Sequence, residues 1–179
     1  ELTLNNSGTA SFPDNSSGIV LNKAEGLLKL QGTGTVQEVQ VTTASNAGKG
    51  IQVNASGTVS SLLISSDTEL NISTGITLSG SAELAENKTL KLTGTGSLGS
   101  DLSLKGTMVA EENLAVSGAI SVADNSTISI PAANTTLSYS GGNLTINAYT
   151  LTVAGDGTFS NSANSTIVLA VEESVLDLS

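Results

Sequence analysis

The feature that most restricts the fold is a short apolar–polar–apolar triplet that recurs along the whole chain. Alternation with period two buries one face of a strand and exposes the other. Helix-forming character is confined to residues 21–28, a stretch too short to stand alone. The chain is therefore predicted to be all-β. Examples of the triplet are Leu2-Thr3-Leu4, Leu28-Lys29-Leu30, Ile51-Gln52-Val53, Leu90-Lys91-Leu92 and Leu176-Asp177-Leu178.

The spacing of the triplets indicates the architecture. In the middle of the chain the inward positions fall into groups of three, which begin at Leu70, Leu90, Met108, Ile128 and Leu151. A hairpin sheet or an immunoglobulin-type sandwich needs longer strands with more widely spaced turn signals. Three short strands per coil predict a three-sided parallel β-solenoid, or β-helix, with about 20 residues per coil and eight to nine coils.

The composition fits one thin domain. No linker or shift in composition divides residues 1–179, so we predict a single solenoid domain whose residues 1–60 are less regular. The chain is 38% hydrophobic with only 2% aromatic residues, so its core must be built from Leu, Val, Ile and Ala. Such small side chains stack well in thin layers but fill a wide interior poorly, which predicts a narrow core.

The missing residue types exclude several kinds of chemistry. The chain has no Cys, His, Trp or Arg, so disulfides, thiolate metal sites and histidine catalysis are excluded. The net charge is −10 and the six lysines are scattered, which argues against binding to nucleic acid. No apolar run is long enough for a membrane span.

The carboxylates are candidates for catalytic or metal-binding groups. Adjacent pairs such as Glu111-Glu112 and Glu172-Glu173 point to opposite faces of a strand, so they cannot flank one glycosidic bond. Asp67 and Glu69 share a face, and the preferred interpretation is a solvated turn. We predict no catalytic residue, no metal ligand and no cofactor. Calcium is the one plausible metal, at oxygen-rich turns: Asp14-Asn15-Ser16, Asp124-Asn125-Ser126 and Gly155-Asp156-Gly157.

Asn-x-Ser/Thr sequons are frequent, with roughly twice the number expected from random placement. The same motif is a turn signal before several strands, because Asn tolerates left-handed backbone conformations. Glycosylation and turn formation therefore both explain the excess. The candidate glycosylation sites are Asn5, Asn15, Asn54, Asn71, Asn87, Asn125, Asn134, Asn143 and Asn164.

The triplets, the Asn-rich turns and the low aromatic content together resemble the passenger regions of bacterial autotransporters, haemagglutinin-like adhesins and other secreted β-solenoid surface or fibre proteins. The resemblance extends over nearly the whole chain and includes no motif of fixed sequence. It implies an elongated adhesive or scaffolding rod, and it transfers no functional residue to this chain.

The leading functional hypothesis is a non-enzymatic rod at the cell surface or outside the cell. The chain opens at Glu1 without an initiator Met, which fits either a processed secreted protein or a fragment. Both termini are strands, and unpaired strand edges can pair with another copy of the chain. The candidate assembly edges are Leu2, Thr3, Leu4, Val175, Leu176 and Leu178.

The alternative is a carbohydrate-binding or polysaccharide-cleaving β-helix protein that recognises surface glycans. Sugar binding commonly uses exposed aromatic rings as stacking platforms. Tyr139 and Phe159 occupy inward triplet positions, so Phe12 and Tyr149 are the candidate sugar contacts.

Overall fold

The structure is a computed structural model, and it describes residues 1–10 and 18–179. The described residues form 22 β-strands and no helix, which confirms the all-β prediction. Every strand pair is parallel, and the strands stack as a solenoid of about eight turns with about 22 residues per turn. The three-sided parallel β-solenoid expected from the triplets is therefore the observed fold.

One side of the solenoid, side A, is a sheet of nine strands in which each turn contributes one strand. The order along the solenoid is β1 (Leu2–Leu4), β4 (Leu27–Leu30), β6 (Gly50–Val53), β8 (Thr68–Ile72), β10 (Thr89–Thr93), β13 (Thr107–Ala110), β16 (Ser126–Ser129), β19 (Thr150–Ala154) and β22 (Val175–Leu178).

The other two sides, B and C, share a sheet of 13 strands. Three long strands run across both sides: β5 (Thr35–Val41), β7 (Gly57–Ile64) and β9 (Thr77–Leu84). Side B also contains β2 (Thr9–Ala10), β11 (Ser97–Leu98), β14 (Leu114–Val116), β17 (Thr136–Tyr139) and β20 (Thr158–Asn161). Side C also contains β3 (Ile19–Leu21), β12 (Asp101–Leu104), β15 (Ile120–Val122), β18 (Asn143–Ile146) and β21 (Thr166–Leu169).

The corner between sides B and C is formed in two ways. In the first half of the solenoid it lies inside a long strand, where neighbouring residues such as Ser60 and Ser61 both lie outside the core. At this corner of β9, Gly80 has a φ of 119°, and a Cβ there would lie 1.8 Å from the Val59 carbonyl oxygen. Only glycine fits such a close backbone approach at positive φ. After β9 a turn interrupts the strand, so each coil has three separate strands.

The core consists of apolar columns that run along the solenoid axis. One column on side C continues through every turn, because each member is the register partner of the next. Its members are Ile19, Val39, Leu62, Ala82, Leu102, Ile120, Leu144 and Ile167. A parallel column contains Leu21, Val41, Ile64, Leu84, Leu104, Val122, Ile146 and Leu169.

For the first members of the predicted groups, the register agrees in the centre and differs at two joints. Leu90, Met108 and Ile128 are successive register partners, as the groups indicate. Leu70 pairs with Leu92 instead of Leu90, and Leu151 pairs with Ser126 instead of Ile128. Both differences are shifts of two residues, which keep the same side chains inward because the strand period is two.

Candidate functional site

Side-chain oxygens at the corners of one coil accept hydrogen bonds from backbone N–H groups of the next coil. Such bonds satisfy strand-end donors that have no ladder partner. The acceptors therefore join neighbouring coils. Three examples are Thr89 N–H to Asp67 Oδ1 at 2.8 Å, Ala119 N–H to Asp101 Oδ1 at 2.9 Å and Thr150 N–H to Asn125 Oδ1 at 2.9 Å.

Asp67 and Glu69 line one groove of about 380 Å³ beside β8, together with Lys91. Glu69 Oε2 accepts a hydrogen bond from the Gly48 N–H at 3.1 Å, and its Oε1 accepts one from the Thr93 hydroxyl at 3.3 Å. Both carboxylates are thus bonded to neighbouring coils. In the structure these hydrogen bonds stabilise the corner between coils, which agrees with the interpretation of Asp67 and Glu69 as turn residues.

The adjacent glutamates lie in exposed turns. Glu111 forms an ion pair with Lys91, with 3.3 Å between its Oε1 and the lysine Nζ, while Glu112 is exposed beside it. Glu172 and Glu173 are exposed in the turn before β22. Over residues 1–10 and 18–179, no group of three or more acidic side chains is placed to hold a metal ion. The candidate calcium turns Asp124-Asn125-Ser126 and Gly155-Asp156-Gly157 lie within the described residues, and Asp14-Asn15-Ser16 lies outside them, so calcium binding stays a prediction.

A shallow groove of about 450 Å³ crosses the outer face of side C. Most of its exposed lining surface is apolar, and the polar side chains along it are Ser61, Ser81, Glu83, Asp101, Ser103, Ser121, Asn143 and Thr145. Glu83 Oε1 accepts a hydrogen bond of 2.7 Å from the Lys105 ammonium, and this bond raises the pKa of Lys105. The groove therefore offers hydroxyl and amide groups and two engaged carboxylates, those of Glu83 and Asp101, and its described lining includes no aromatic ring.

The aromatic residues that the structure describes lie in or against the core. Tyr139 is buried and stacks on Phe159, with ring centroids 6.2 Å apart, and Phe159 is partly buried against the core. Tyr149, the candidate sugar contact, is half-buried and also packs against the core. Phe12, the other candidate, lies outside the described residues.

The hydroxyl of Tyr139 is buried without a hydrogen-bond partner in the described part of the chain. Burial raises the pKa of this hydroxyl by more than the nearby backbone of Ile120 lowers it. The ring of Tyr139 therefore stabilises the core, whereas its buried hydroxyl lowers the free energy of unfolding.

Most of the sequon asparagines are exposed. Asn5, Asn54, Asn87, Asn125, Asn134, Asn143 and Asn164 all have exposed side chains. Asn87 lies in a turn with a φ of 56°, the left-handed conformation that Asn tolerates. Asn71 is half-buried, and its Nδ2 donates a hydrogen bond of 3.0 Å to the Thr93 hydroxyl. Asn15 lies outside the described residues.

The N-terminal end of the solenoid, here called the head, is formed by β1, β2 and β3. Each of these strands pairs on one side only among the described strands. The Gln31 N–H donates to the Leu4 carbonyl at 2.8 Å, so the backbone groups of Leu4 point toward β4. Because these groups alternate along a parallel strand, the N–H and C=O of Thr3 point to the free edge. Leu2 is 45% exposed there.

The C-terminal end, here called the tail, is formed by β20, β21 and β22, which likewise pair on one side only among the described strands. It is the more apolar end, since Leu169 is 55% exposed and Leu178 is 74% exposed. The Ser179 N–H donates to the Val153 carbonyl at 3.1 Å. The backbone groups of Leu176 and Leu178 therefore point to the free edge.

The predicted edge residues lie where the sequence placed them, in β1 and β22, but each end also has two further edge strands. The prediction did not include these four edge strands, β2, β3, β20 and β21. For β3 and β21 the sequence contains a signal, because the triplet Ile-Val-Leu occurs both at Ile19–Leu21 and at 167–169. Recognising that signal requires knowing that these two triplets occupy the first and last strands of one side.

The comparisons identify no relative. No protein-family model, curated protein or solved structure matches the chain. In residues 1–10 and 18–179, no helix is long and apolar enough to cross a membrane.

Proposed function

We propose that this chain is a non-enzymatic structural or adhesive rod outside the cell, a subunit or segment of a surface fibre, sheath or adhesin that assembles through exposed strand edges. One observation carries the proposal. In the described part of the chain, the exposed large hydrophobic side chains lie at the two ends, whereas the side walls between residues 21 and 168 have none. The six residues are Leu2, Val20, Leu169, Val171, Val175 and Leu178.

Exposed strand edges with apolar side chains pair readily with other strands. Natural proteins usually protect such edges with charges, bulges or a covering element, and terminal coils of solenoids with caps. Among the described residues, head and tail expose both strand-edge backbone groups and apolar side chains. Pairing of the edges with a further solenoid coil satisfies both, so the ends are the part of the molecule suited to interaction.

The side walls support a structural role for a different reason. The carboxylates of Asp67, Glu69 and Asp101 are hydrogen-bonded between coils, and those of Glu83 and Glu111 are paired with lysines. A carboxylate used as a general acid or base must be free to reach a proton of the substrate. The walls therefore suit a scaffold better than a catalyst.

Self-assembly is tested by sedimentation velocity of the chain over a hundredfold range of concentration, with electron microscopy of the sample. We expect species that grow with concentration and appear as rods of constant width. The variant Leu178→Asp, which places a charge on the tail, should reduce assembly at least tenfold. Ser138→Asp is the matched control, because it adds the same charge on the outer face of the paired strand β17. A wild-type chain that stays monomeric throughout would remove the assembly part of the proposal.

The predicted glycosylation is tested through the sequons. Expression of the chain in a eukaryotic secretory host should give glycosylation at Asn87, whose side chain is exposed in a turn, and little at Asn71, whose amide is bonded to Thr93. Loss of the glycan in Asn87→Gln, measured by intact mass, is the expected result. An unmodified secreted chain would leave the sequons as turn motifs and contradict the predicted glycosylation.

Carbohydrate binding is the second candidate, and the groove on side C favours it, because hydroxyl and amide groups from successive coils line one surface. A glycan array is the test. Binding that is lost in Ser103→Lys, in the centre of the groove, and kept in Ser138→Lys, on side B, supports binding in the groove. Loss of binding in Tyr149→Ala would place the sugar at the ring instead. An array without binding would remove this candidate.

A further inference from the structure

We propose that the occupant of the tail is the head of a second copy of this chain, added in parallel and in register, so that copies join head to tail into a polar filament. This inference rests on the proposed assembly function and specifies its partner, direction and register. Three features of the described residues support it: matching triplets, matching backbone groups and unequal charge.

The same apolar triplet begins and ends side C. Ile19 and Leu21 are the first members of the two core columns of that side, and Ile167 and Leu169 are the last. Stacking β3 of one copy on β21 of another therefore continues both columns with the same residue types. The outward-facing residues also match, since Val20 and Val168 would form a cross-strand Val–Val pair.

Side A has the same relation between its two ends. Leu2 and Leu4 start columns that continue through Leu28 and Leu30, and Leu176 and Leu178 end columns that contain Leu151 and Val153. Parallel stacking of β1 on β22 places Leu2 against Leu176 and Leu4 against Leu178. Among the inward residues of side C, the surface to be covered lies at the tail, because Leu169 is 55% exposed whereas Ile19 and Leu21 at the head are only 8% and 9% exposed.

The free backbone groups are complementary in this register. On side A the head presents the N–H and C=O of Thr3, and the tail presents those of Leu176 and Leu178. With Thr3 opposite Asp177, the Thr3 N–H can donate to the Leu176 carbonyl, and the Leu178 N–H can donate to the Thr3 carbonyl. This is the pattern that already joins each coil to the next inside the solenoid.

Side C shows the same complementarity. The Thr42 N–H donates to the Leu21 carbonyl, so the backbone groups of Val20 point to the free edge. The Ala170 N–H donates to the Ile146 carbonyl, so those of Leu169 point to the free edge of the tail. Alignment of Val20 with Val168 thus satisfies both edges at once with no shift of register between the two sides.

The charges favour head-to-tail contact over tail-to-tail contact. Residues 151–179 contain Asp156, Glu172, Glu173 and Asp177 and no lysine, whereas in residues 1–50 the lysines Lys23, Lys29 and Lys49 offset three of the four carboxylates, Glu1, Asp14, Glu25 and Glu38. Two tails would bring eight carboxylates together, which costs free energy through like-charge repulsion. A head on a tail brings Lys23, which follows β3, to the same corner as Glu172, which follows β21.

The contact is heterologous, because head and tail are different surfaces. Heterologous contacts form rings when the rotation closes and open filaments when it does not. Here each added copy extends the solenoid along its own axis, which leaves another free head and tail. The assembly therefore has no closed size and one direction.

The deciding experiment mixes two variants that each block one end. Thr3→Pro with Val20→Pro removes two edge-facing N–H groups at the head, and Leu169→Pro with Leu178→Pro removes two at the tail. We expect each variant alone to be monomeric by sedimentation velocity and a 1:1 mixture to form a heterodimer that grows no further. Leu2→Asp and Leu178→Asp provide a second head-blocked and tail-blocked pair, and circular dichroism checks that every variant is folded.

The outcomes separate this inference from the proposed function. Dimers of the head-blocked variant alone would show tail-to-tail contact and overturn the polar arrangement while leaving self-assembly intact. Head-blocked and tail-blocked variants that both polymerise like the wild type would overturn the edge contact. A wild-type chain that never associates would overturn both proposals, and would mean that something other than a second copy covers the edges.

Two matched substitutions test the contribution of charge to the contact. Lys23→Glu reverses a charge at the head, and Lys88→Glu makes the same change in the middle of the solenoid. We expect Lys23→Glu to weaken wild-type assembly at least fivefold and Lys88→Glu to change it less than twofold. Equal effects of the two substitutions would attribute the result to net charge and contradict the proposed contact.

Discussion

The middle of the solenoid and its tail differ sharply, although they are built from the same triplets. In one column of side C, Leu84, Leu104, Val122 and Ile146 are all 0% exposed, whereas the next member, Leu169, is 55% exposed. The residues are of similar size and hydrophobicity, and each lies on the inward side of a short strand. What differs is whether another coil follows.

This difference teaches that burial in a solenoid comes from the neighbouring coils and not from the triplet itself. Each coil buries its inward side chains against the coils before and after it, so stability is close to a sum of nearest-neighbour contacts. At the tail, the last coil has a neighbouring coil on one side only among the described strands. The same side chain is therefore a core residue in the middle and a binding surface at the tail.

The largest expected effect comes from truncating one column at two heights. Leu104→Ala should lower the free energy of unfolding by about 3 kcal/mol, because it opens a cavity in a closed core. Leu169→Ala in the same column should cost less than about 1 kcal/mol in the monomer, since the side chain is largely exposed. Urea unfolding of the two variants at a concentration that keeps the chain monomeric makes the comparison. Equal losses would contradict the difference between middle and tail.

Glycine at the corner of β9 is expected to have the next largest effect. Gly80→Ala should cost about 2–3 kcal/mol, because the new Cβ would meet the Val59 carbonyl of the preceding coil at a positive φ. Gly48→Ala is the matched control, since its φ is 68° with no atom within 4 Å of the new Cβ, so only the backbone strain of about 1 kcal/mol applies. Thermal unfolding measures both. A control that costs as much as Gly80→Ala would remove the role of coil contact at this corner.

The bonds between corners should contribute less. Asp101→Ala removes the acceptor of the Ala119 N–H and should lower the free energy of unfolding by about 1 kcal/mol. Asp156→Ala, at an exposed turn near the tail, should change it by less than about 0.5 kcal/mol. Hydrogen exchange of the Ala119 amide provides the direct measurement. Unchanged protection in Asp101→Ala would show that the bond between coils does not hold this corner.

The smallest expected change is a gain. Tyr139→Phe keeps the ring that stacks on Phe159 and removes a buried hydroxyl without a partner in the described chain, so stability should rise by about 0.5–1 kcal/mol. Val116→Ala, one coil earlier in the same column, should instead lower it. Urea unfolding distinguishes the two signs. A loss of stability in Tyr139→Phe would indicate that the hydroxyl is hydrogen-bonded in solution.

Much of the fold could be predicted because a solenoid repeats its local pattern. The alternation within each triplet indicates which side chains face inward, and the spacing of triplets gives three strands per coil. The register could be predicted only where turns had equal length. At Leu70 and Leu151 the observed partners differ from the predicted ones by two residues, because a shift of two leaves the same faces inward and only the turn geometry decides between them.

The candidate site was predicted in part. Leu2 to Leu4 and Val175 to Leu178 could be recognised as terminal strands from the sequence alone. The contribution of Ile19–Leu21 and Leu169 could not, because it depends on which strands are first and last on side C. The positions of Asp67 and Glu69 on one face were also accessible, but their hydrogen bonds to Gly48 and Thr89 depend on how distant turns stack.

The sequence by itself determined that this chain is all-β, has a narrow aliphatic core and carries an acidic, lysine-free last segment. These properties follow from local alternation and composition, which need no knowledge of neighbours. Only the tertiary structure decided in which triplets the inward side chains are buried and in which they are exposed, since exposure depends on the coils above and below. It also decided that the free backbone groups of head and tail are complementary, because their direction is set by the hydrogen bonds each edge strand already makes.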